Sequence, residues 1–486
     1  MATDSLSRRT FLGTSLAGLA GLTGTRPRGQ TLSSPPLDPY IADIDGDGRL
    51  TEADVSLMQQ VLLTSRGFAL RPNEGFDFRA DVFGRGEIGQ QAVNATLQTI
   101  AQVGYGPVAT PRPITVAWHY GWHDKLRRPL LQQTTRYLEG DYLSNDPQVE
   151  EGFNELKNEL GITVDALGWI PPRITPTILP NFREGYFSTP NAATRYVALL
   201  YENTIALPTI GGRIDFRSSE VRTLLVDDFA AMAATLVEAR DRYATRVFLL
   251  QSRPVVFIFG SHSWGLNPAD ETEFQNMADT VRDSREAFRA IYGEFPYLVG
   301  EELLQLASTA RPSPDRIHRA INFDALYAYH CANLKPSANT FSITDAYGSL
   351  QQYRLERAAA GVRRLRNRFN GERLLLIPSL AGGFAKHGLP ILDTTGRAYT
   401  NFLQQLAHYY TGTYLRHEWP TAVGTSALPA PVYTVGSWNE EFEGHAVFPA
   451  QFNLSLKNSR LKGFDFAMAL KQVFGWNHYA QRDIPT

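Results

Sequence analysis

Cysteine is almost absent. Cys331 is the only one in 486 residues, so no internal disulfide can support the fold, and any exported form must be stable without one. An excess of one charge is lacking too. Lys and Arg number 47 against 49 Asp and Glu, a formal net charge of -2, which excludes a global field drawing the chain to nucleic acid or an anionic membrane. No apolar run has the length and strength of a spanning helix, which excludes a polytopic membrane protein. There is no His-Glu-x-x-His pair, no Walker-type loop and no glycine-rich phosphate fingerprint after the first strand run, which removes the usual signatures of catalytic zinc and nucleotide binding. What remains is globular in composition. Hydrophobic residues make up 43% and charged residues 20%, enough for a sizeable core in one large domain with something minor beside it.

The minor part begins with an address. Ser7-Arg8-Arg9-Thr10-Phe11-Leu12 is followed by an uncharged Gly/Ala/Leu/Thr run to Thr25. Residues 1–30 therefore resemble a twin-arginine signal peptide, although Gly13 stands where a lysine is common. The resemblance implies export of an already folded protein to the periplasm, the cell surface or the medium. A plain basic N-terminus is the alternative, and without a clean Ala-x-Ala site both cleavage and retention as an anchor stay open. Residues 31–39, rich in Pro and Ser, are a linker.

Residues 40–103 open with Asp-Ile-Asp-Gly-Asp-Gly-Arg-Leu-Thr-Glu-Ala-Asp, in which Asp43, Asp45 and Asp47 alternate, Gly48 gives the sharp turn and Asp54 closes the loop. Alternating carboxylates converge on one hard cation, with the Arg49 carbonyl and Thr51, directly or through water, as further ligands. An acidic turn without metal is the alternative. Val55, Met58 and Leu62 then fall on one helical face. A second copy keeps Asp81, Gly86 and the stripe Val93, Leu97, Ile100, but has Phe83, Arg85 and Ala92 in chelating positions, so a single Ca2+ is expected. The final Asp and the repeat make this segment resemble a type I dockerin, a small all-α, EF-hand-type module. The resemblance implies a cohesin-bearing partner. The degenerate second half leaves a vestigial or purely structural calcium module as the other reading.

From residue 111 to 486 short apolar runs alternate with helical patterns, the signature of parallel strands joined by crossover helices. Eight strand runs are expected, at 114–122, 162–170, 194–203, 254–262, 295–303, 321–330, 373–383 and 431–441. They predict an α/β fold, a (β/α)8 TIM barrel with enlarged loops, with a doubly wound open sheet as the alternative.

Barrel sites are built at the carboxyl ends of the strands. There the sequence offers Trp118, His119, Tyr120, Trp122 and His123 after the first run, Trp169 after the second, Tyr201 and Glu202 after the third, and His262 and Trp264 after the fourth. The fifth ends in Glu301 and Glu302, the sixth in Tyr327, Tyr329 and His330, the seventh without an acid, and the eighth in Trp438, Asn439, Glu440, Glu441 and Glu443. Rings beside carboxylates suit sugars, whose C–H faces stack and whose hydroxyls take charged acceptors. Trp118, His119, Tyr120, Trp122, Trp169, Tyr201, Glu202, His262, Trp264, Tyr329, Trp438 and Asn439 are the candidate substrate contacts. Hydrolysis of a glycosidic bond needs a proton donor and a second carboxylate, and Glu440 and Glu443, three residues apart behind a buried strand, are the candidate catalytic pair. Asp165 and Asp324, inside strand runs, are expected to be buried hydrogen-bonded supports, and Cys331 a small buried hydrophobe.

The Trp-His-Tyr-Gly-Trp run, Gly161 to Asp165, the Tyr-Glu of the third run, Arg253 to Ile258 and above all Asn439-Glu440-x-x-Glu443-Gly444 resemble glycoside hydrolase family 99, the endo-acting α-mannosidase and α-mannanase group. Glu441 replaces the tryptophan of the family motif. The resemblance implies a retaining endo-glycosidase acting on an α-linked, mannose-type polysaccharide. Glu440 would be the base on the substrate's own 2-hydroxyl and Glu443 the acid/base. A barrel glycosidase with acids on strands four and seven is opposed by runs that end without a carboxylate. The rival from another class is a non-hydrolytic carbohydrate-binding or surface-assembly protein, docked by the dockerin-like module.

Overall fold

The computed structural model describes residues 42, 49–64, 90–107, 114–123, 135–137, 142–267, 270–302, 313–327, 329, 365–377, 379–380, 432–439 and 450–452. The N-terminal segment contributes helices α1 (Glu52–Thr64) and α2 (Gln90–Val103), which pack on each other, and Arg49–Leu50 pairs antiparallel with Gly106–Pro107. Ala42, Leu50 and Ile100, with Val55 against them, form a small buried cluster that joins the two halves of the repeat. Thr51 starts α1 as a capping box: its Oγ1 accepts from the Ala53 amide at 3.1 Å, and the Asp54 carboxylate accepts from the Thr51 amide at 2.7 Å.

Each of the eight expected runs contains a strand. The strands are β1 (Ile114–His119), β2 (Val164–Trp169), β3 (Tyr196–Glu202), β4 (Arg253–Phe259), β5 (Tyr297–Gly300), β6 (Ala325–Tyr327), β7 (Leu375–Ile377) and β8 (Val432–Val435). Each pairs in parallel with its neighbour in sequence from β1 to β7, and β8 pairs in parallel with β1. Ser379–Leu380, one residue beyond β7, pairs in parallel with β8. The sheet therefore leaves and returns to the same stretch of chain, so it is a parallel barrel closed but for one position, and the open doubly wound alternative is excluded.

Helices cover the outside: α3 (Pro147–Glu159), α4 (Ser219–Tyr243), α5 (Glu271–Tyr292) and α6 (Pro314–Ala320). Their ends follow from sequence. Asp146, Ser218 and Asp270 cap three N-termini, and Gly161 and Gly293 follow two C-termini with φ of +73° and +101°. The strands lie between a filled interior and this helical layer, so β1, β2 and β3 are buried along their whole length. No helix among the described residues is long and apolar enough to cross a membrane.

Candidate functional site

Strand alternation decides which residues face the barrel axis. The Tyr201 hydroxyl donates to Asp228 on α4 at 2.6 Å, so Tyr201 points outward and its neighbour Glu202 inward. Phe257 meets Trp118 inside the barrel, Val299 is level with Phe257, and Glu301, two residues on, is therefore inward as well. Glu202 is level with Phe259, while the register of Val299 with Ala325 sets Glu301 beside Tyr327. The uppermost inward layer thus carries Glu202, Phe259, Glu301 and Tyr327. Beside it the Tyr120 hydroxyl lies 2.5 Å from that of Tyr329, and the Tyr120 ring stacks on Trp122 at 3.9 Å. Gly168 makes room for that ring, since a Cβ there would lie 2.5 Å from Tyr120 Cδ1.

The strand ends are laced together. Asn203 Nδ2 donates to the Phe259 carbonyl, tying β3 to β4, and the Gly260 amide donates to Glu301 Oε2 at 2.6 Å, tying β4 to β5. Gly260 has φ of +71°, where a Cβ would collide with Thr204. His262 Nδ1 lies 3.6 Å from the same Glu301 oxygen. Burial alone would lower the His262 pKa, but the negative charge of Glu301 and Glu302 outweighs it and raises the pKa above the ordinary value. Glu302, next in sequence, faces the helices and pairs with Arg319 of α6 at 2.8 Å. Its burial prevails over Arg319 and raises its pKa to about 7. Burial, then the Glu301 and Glu202 charges, raise the Tyr327 phenol well above its usual range, which sets both carboxylates within electrostatic reach of one ring.

A second polar cluster lies outside the sheet, between β1, β2 and α3. Lys157 Nζ is 2.8 Å from Asp165 and 2.5 Å from His119 Nδ1, and His119 Nε2 is 3.1 Å from Glu150. Asp165 also accepts from Arg195 Nε at 2.5 Å and Tyr186 at 2.7 Å. Burial opposes the charge on Asp165, yet Arg195, Lys157 and His119 prevail and hold its carboxyl well below the usual range. Burial lowers the Lys157 pKa to about 8, although Asp165 and Glu150 oppose that shift.

Of the residues expected to touch substrate, the structure brings Tyr120, Trp122, Glu202, His262 and Tyr329 together at the mouth. Others have different work. Trp118 is fully buried beneath the mouth, packed on Phe257, Tyr327 and Tyr329. His119, Trp169 and Tyr201 face the helices, where Trp169 donates to Thr235 at 3.3 Å. Trp264 packs on Phe216 and Phe323, and Trp438 on Phe153 with Lys157 Nζ 5.2 Å from its ring. Asn439 spends its carboxamide on the first strand: Oδ1 accepts from the Tyr120 amide at 2.8 Å, and Nδ2 donates to the Tyr120 carbonyl at 2.9 Å and to Tyr142 at 3.0 Å. These seven expected sugar contacts lie in packing and support. His119, Trp169 and Tyr201 do so because alternate residues of a strand buried on both sides face opposite layers, and Trp118 because it lies below the mouth. Trp264, Trp438 and Asn439 do so because they pack or hydrogen-bond beyond the strand ends. Glu440, Glu443, Asp43, Asp45, Asp47, His330 and Cys331 lie outside the described residues. Sequence reasoning passed over Glu301; the alternation that turns Glu302 outward was the available signal. Asp165 and Asp324 are the buried supports expected, with Asp324 held by Arg253, Arg285, Asn367 and the Leu298 amide.

No family model and no curated protein matches the sequence. Among solved structures, the chain is similar to a glycoside hydrolase-like protein at 14% identity, covering 76% of this chain and 96% of that one with a TM-score of 0.50. It is also similar to a family 99 endo-α-mannosidase from Bacteroides thetaiotaomicron at 14% identity, over 76% of this chain and 97% of that one, TM-score 0.48. An endo-β-1,4-glucanase from Xanthomonas axonopodis pv. citri aligns at 12% identity over 74% and 99%, TM-score 0.40. At such identities the likeness is one of fold.

Proposed function

We infer that the chain is an exported retaining endo-glycosidase that hydrolyses an α-linked, mannose-type polysaccharide. The observation that carries this reading is the inward layer at the carboxyl end of the parallel barrel: Glu202 and Glu301 share it with Phe259 and Tyr327, and Phe259 packs on Tyr329, whose hydroxyl meets Tyr120 of the Tyr120–Trp122 stack. Rings take the sugar faces and carboxylates its hydroxyls. Asn439, held against Tyr120, directly precedes Glu440 in the chain. In the proposed reaction Glu440 removes the proton of the sugar 2-hydroxyl, whose oxygen attacks the anomeric carbon while Glu443 protonates the departing oxygen. Water then opens the 1,2-anhydro sugar, giving its proton to Glu443 as Glu440 returns one to O2, and two inversions leave configuration retained.

Purified protein offered a panel of α-mannans and other polysaccharides, with products sized, tests this directly. Glu440→Gln and Glu443→Gln are each expected to abolish turnover of unactivated glycan while binding persists, and full turnover in either variant would overturn the assignment. A wild type that binds glycan and releases no product would instead be the non-hydrolytic surface protein.

The same proposal gives the N-terminal module one structural Ca2+ and, through its dockerin-like form, a cohesin-bearing partner. The buried Asp54 carboxylate fits such a hard cation with Asp43, Asp45, Asp47, Thr51 and the Arg49 carbonyl as an all-oxygen set. A calcium titration is expected to give one site that Asp45→Ala removes; chelator-insensitive stability would count against it.

A further inference from the structure

The wall of the mouth built by β4 and β5 contains a pair that the proposed reaction does not use. His262 sits on the single turn Ser261–Ser263 after β4, pinned by the Ser263 amide and hydroxyl, which donate to the Gly260 carbonyl at 2.9 and 2.7 Å. Its side chain is 42% exposed, yet Nδ1 is shut away from solvent and has no hydrogen-bond partner among the described residues, 3.6 Å from Glu301 Oε2. The exposed part of the side chain therefore lies away from Nδ1. Glu301 cannot turn away, because the Gly260 amide already holds that oxygen at 2.6 Å. On the same turn the Ser261 hydroxyl is fully buried and has no hydrogen-bond partner among the described residues.

We propose that Glu301 and His262 form a substrate-facing subsite in which the carboxylate orients the imidazole and Nε2 donates a hydrogen bond to a hydroxyl oxygen of a neutral sugar. The proposal deepens the glycan-cleft reading and rests on it. A carboxylate behind an imidazole fixes the ring and favours its donating form. Among the described residues, the charged groups facing His262 are Glu301 and Glu302 just after β5 and Arg319 from α6, and together they leave the pKa raised. The ligand is neutral because two carboxyl groups, Glu202 and Glu301, line the same layer, so an acidic sugar would be set against them. His262 and Glu301 are in this sense binding and positioning residues, placed across the barrel from β8.

The test uses the full chain, an oligosaccharide cut from α-mannan, and histidine ring resonances followed by NMR. His262→Gln and Glu301→Gln are each expected to raise KM about tenfold with kcat changed less than about threefold, the pattern of lost uniform binding. Glu301→Gln keeps an oxygen for the Gly260 amide, so the fold is retained, and it should lower the His262 pKa. In the wild type the oligosaccharide should shift the His262 ring signals. If the wild type cleaves the oligosaccharide while those signals stay fixed, or KM stays within twofold in both variants, the subsite is refuted and the glycosidase reading stands. If the wild type neither binds nor cleaves any glycan, both fall together.

Discussion

The β1–β2 wall and the β4–β5 wall both bury ionisable groups, and they dispose of them differently. Behind β2, Asp165 has two cations and a phenol on its two oxygens, and Lys157, His119 and Glu150 continue the chain of partners within a few residues. All of this lies on the helical side of the sheet. Just past the end of β5 the two consecutive acids part company. Glu302 goes outward to Arg319, whereas Glu301 goes inward to a backbone amide and a half-exposed imidazole. A carboxylate whose oxygens are saturated by protein is a brace. One that is held, among the described residues, through a single oxygen at the inward end of a strand still has something to offer a ligand.

This contrast can be broken from either side. The largest effect is expected at the brace: Asp165→Asn leaves Lys157 and Arg195 buried without their shared anion and should cost about 3–5 kcal/mol in chemical denaturation. A loss under about 1 kcal/mol would mean that the cluster does not hold β2 to α3. Next comes the inner face of the same wall. Gly168→Ala pushes a methyl group into the Tyr120 ring and should cost about 1–3 kcal/mol, with weaker glycan binding as the Tyr120–Tyr329 contact opens. The smallest effect is at Glu302. Its pKa in the fold, about 7, is above its unfolded value, so protonation favours the folded state: the contribution is complete below about pH 4.5 and is lost as pH rises through about 7. The wild-type melting temperature should fall by a few degrees between pH 5 and pH 8, and Glu302→Gln should flatten that slope. An unchanged slope would place the titration elsewhere.

The strands were legible because a parallel strand covered on both faces is a continuous apolar run, and the helices because Asp146, Ser218, Asp270, Gly161 and Gly293 punctuate them. The same double burial hid the site. Trp118 and His119 are adjacent and both fully buried, so no polar alternation in the sequence says which one looks into the barrel. The sequence therefore does not separate the aromatic residues near a strand end, although Tyr120 and Tyr329 meet at the mouth while Trp169, Trp264 and Trp438 pack elsewhere. Asp165 and Asp324 could be recognised as supports because a carboxylate inside an apolar run must be answered. Their partners could not. Lys157 lies in a helix whose Asn, Glu and Lys residues have the composition of a solvated face, and only the packing of α3 turns that lysine inward.

Barrel closure has a consequence in time. The carboxamide of Asn439 pairs with the backbone of Tyr120, a contact that spans 319 positions of chain. It cannot form before β8 has emerged and sealed the gap beside β1, and contacts of such separation are the slow ones in folding. Until that seam is shut, the end of β1 has lost its neighbour and the ring of carboxylates and aromatics has no complete rim. Closing the rim of the mouth is thereby tied to the contact that joins the two ends of the barrel, and that seam is expected to be among the slower parts of the molecule to form.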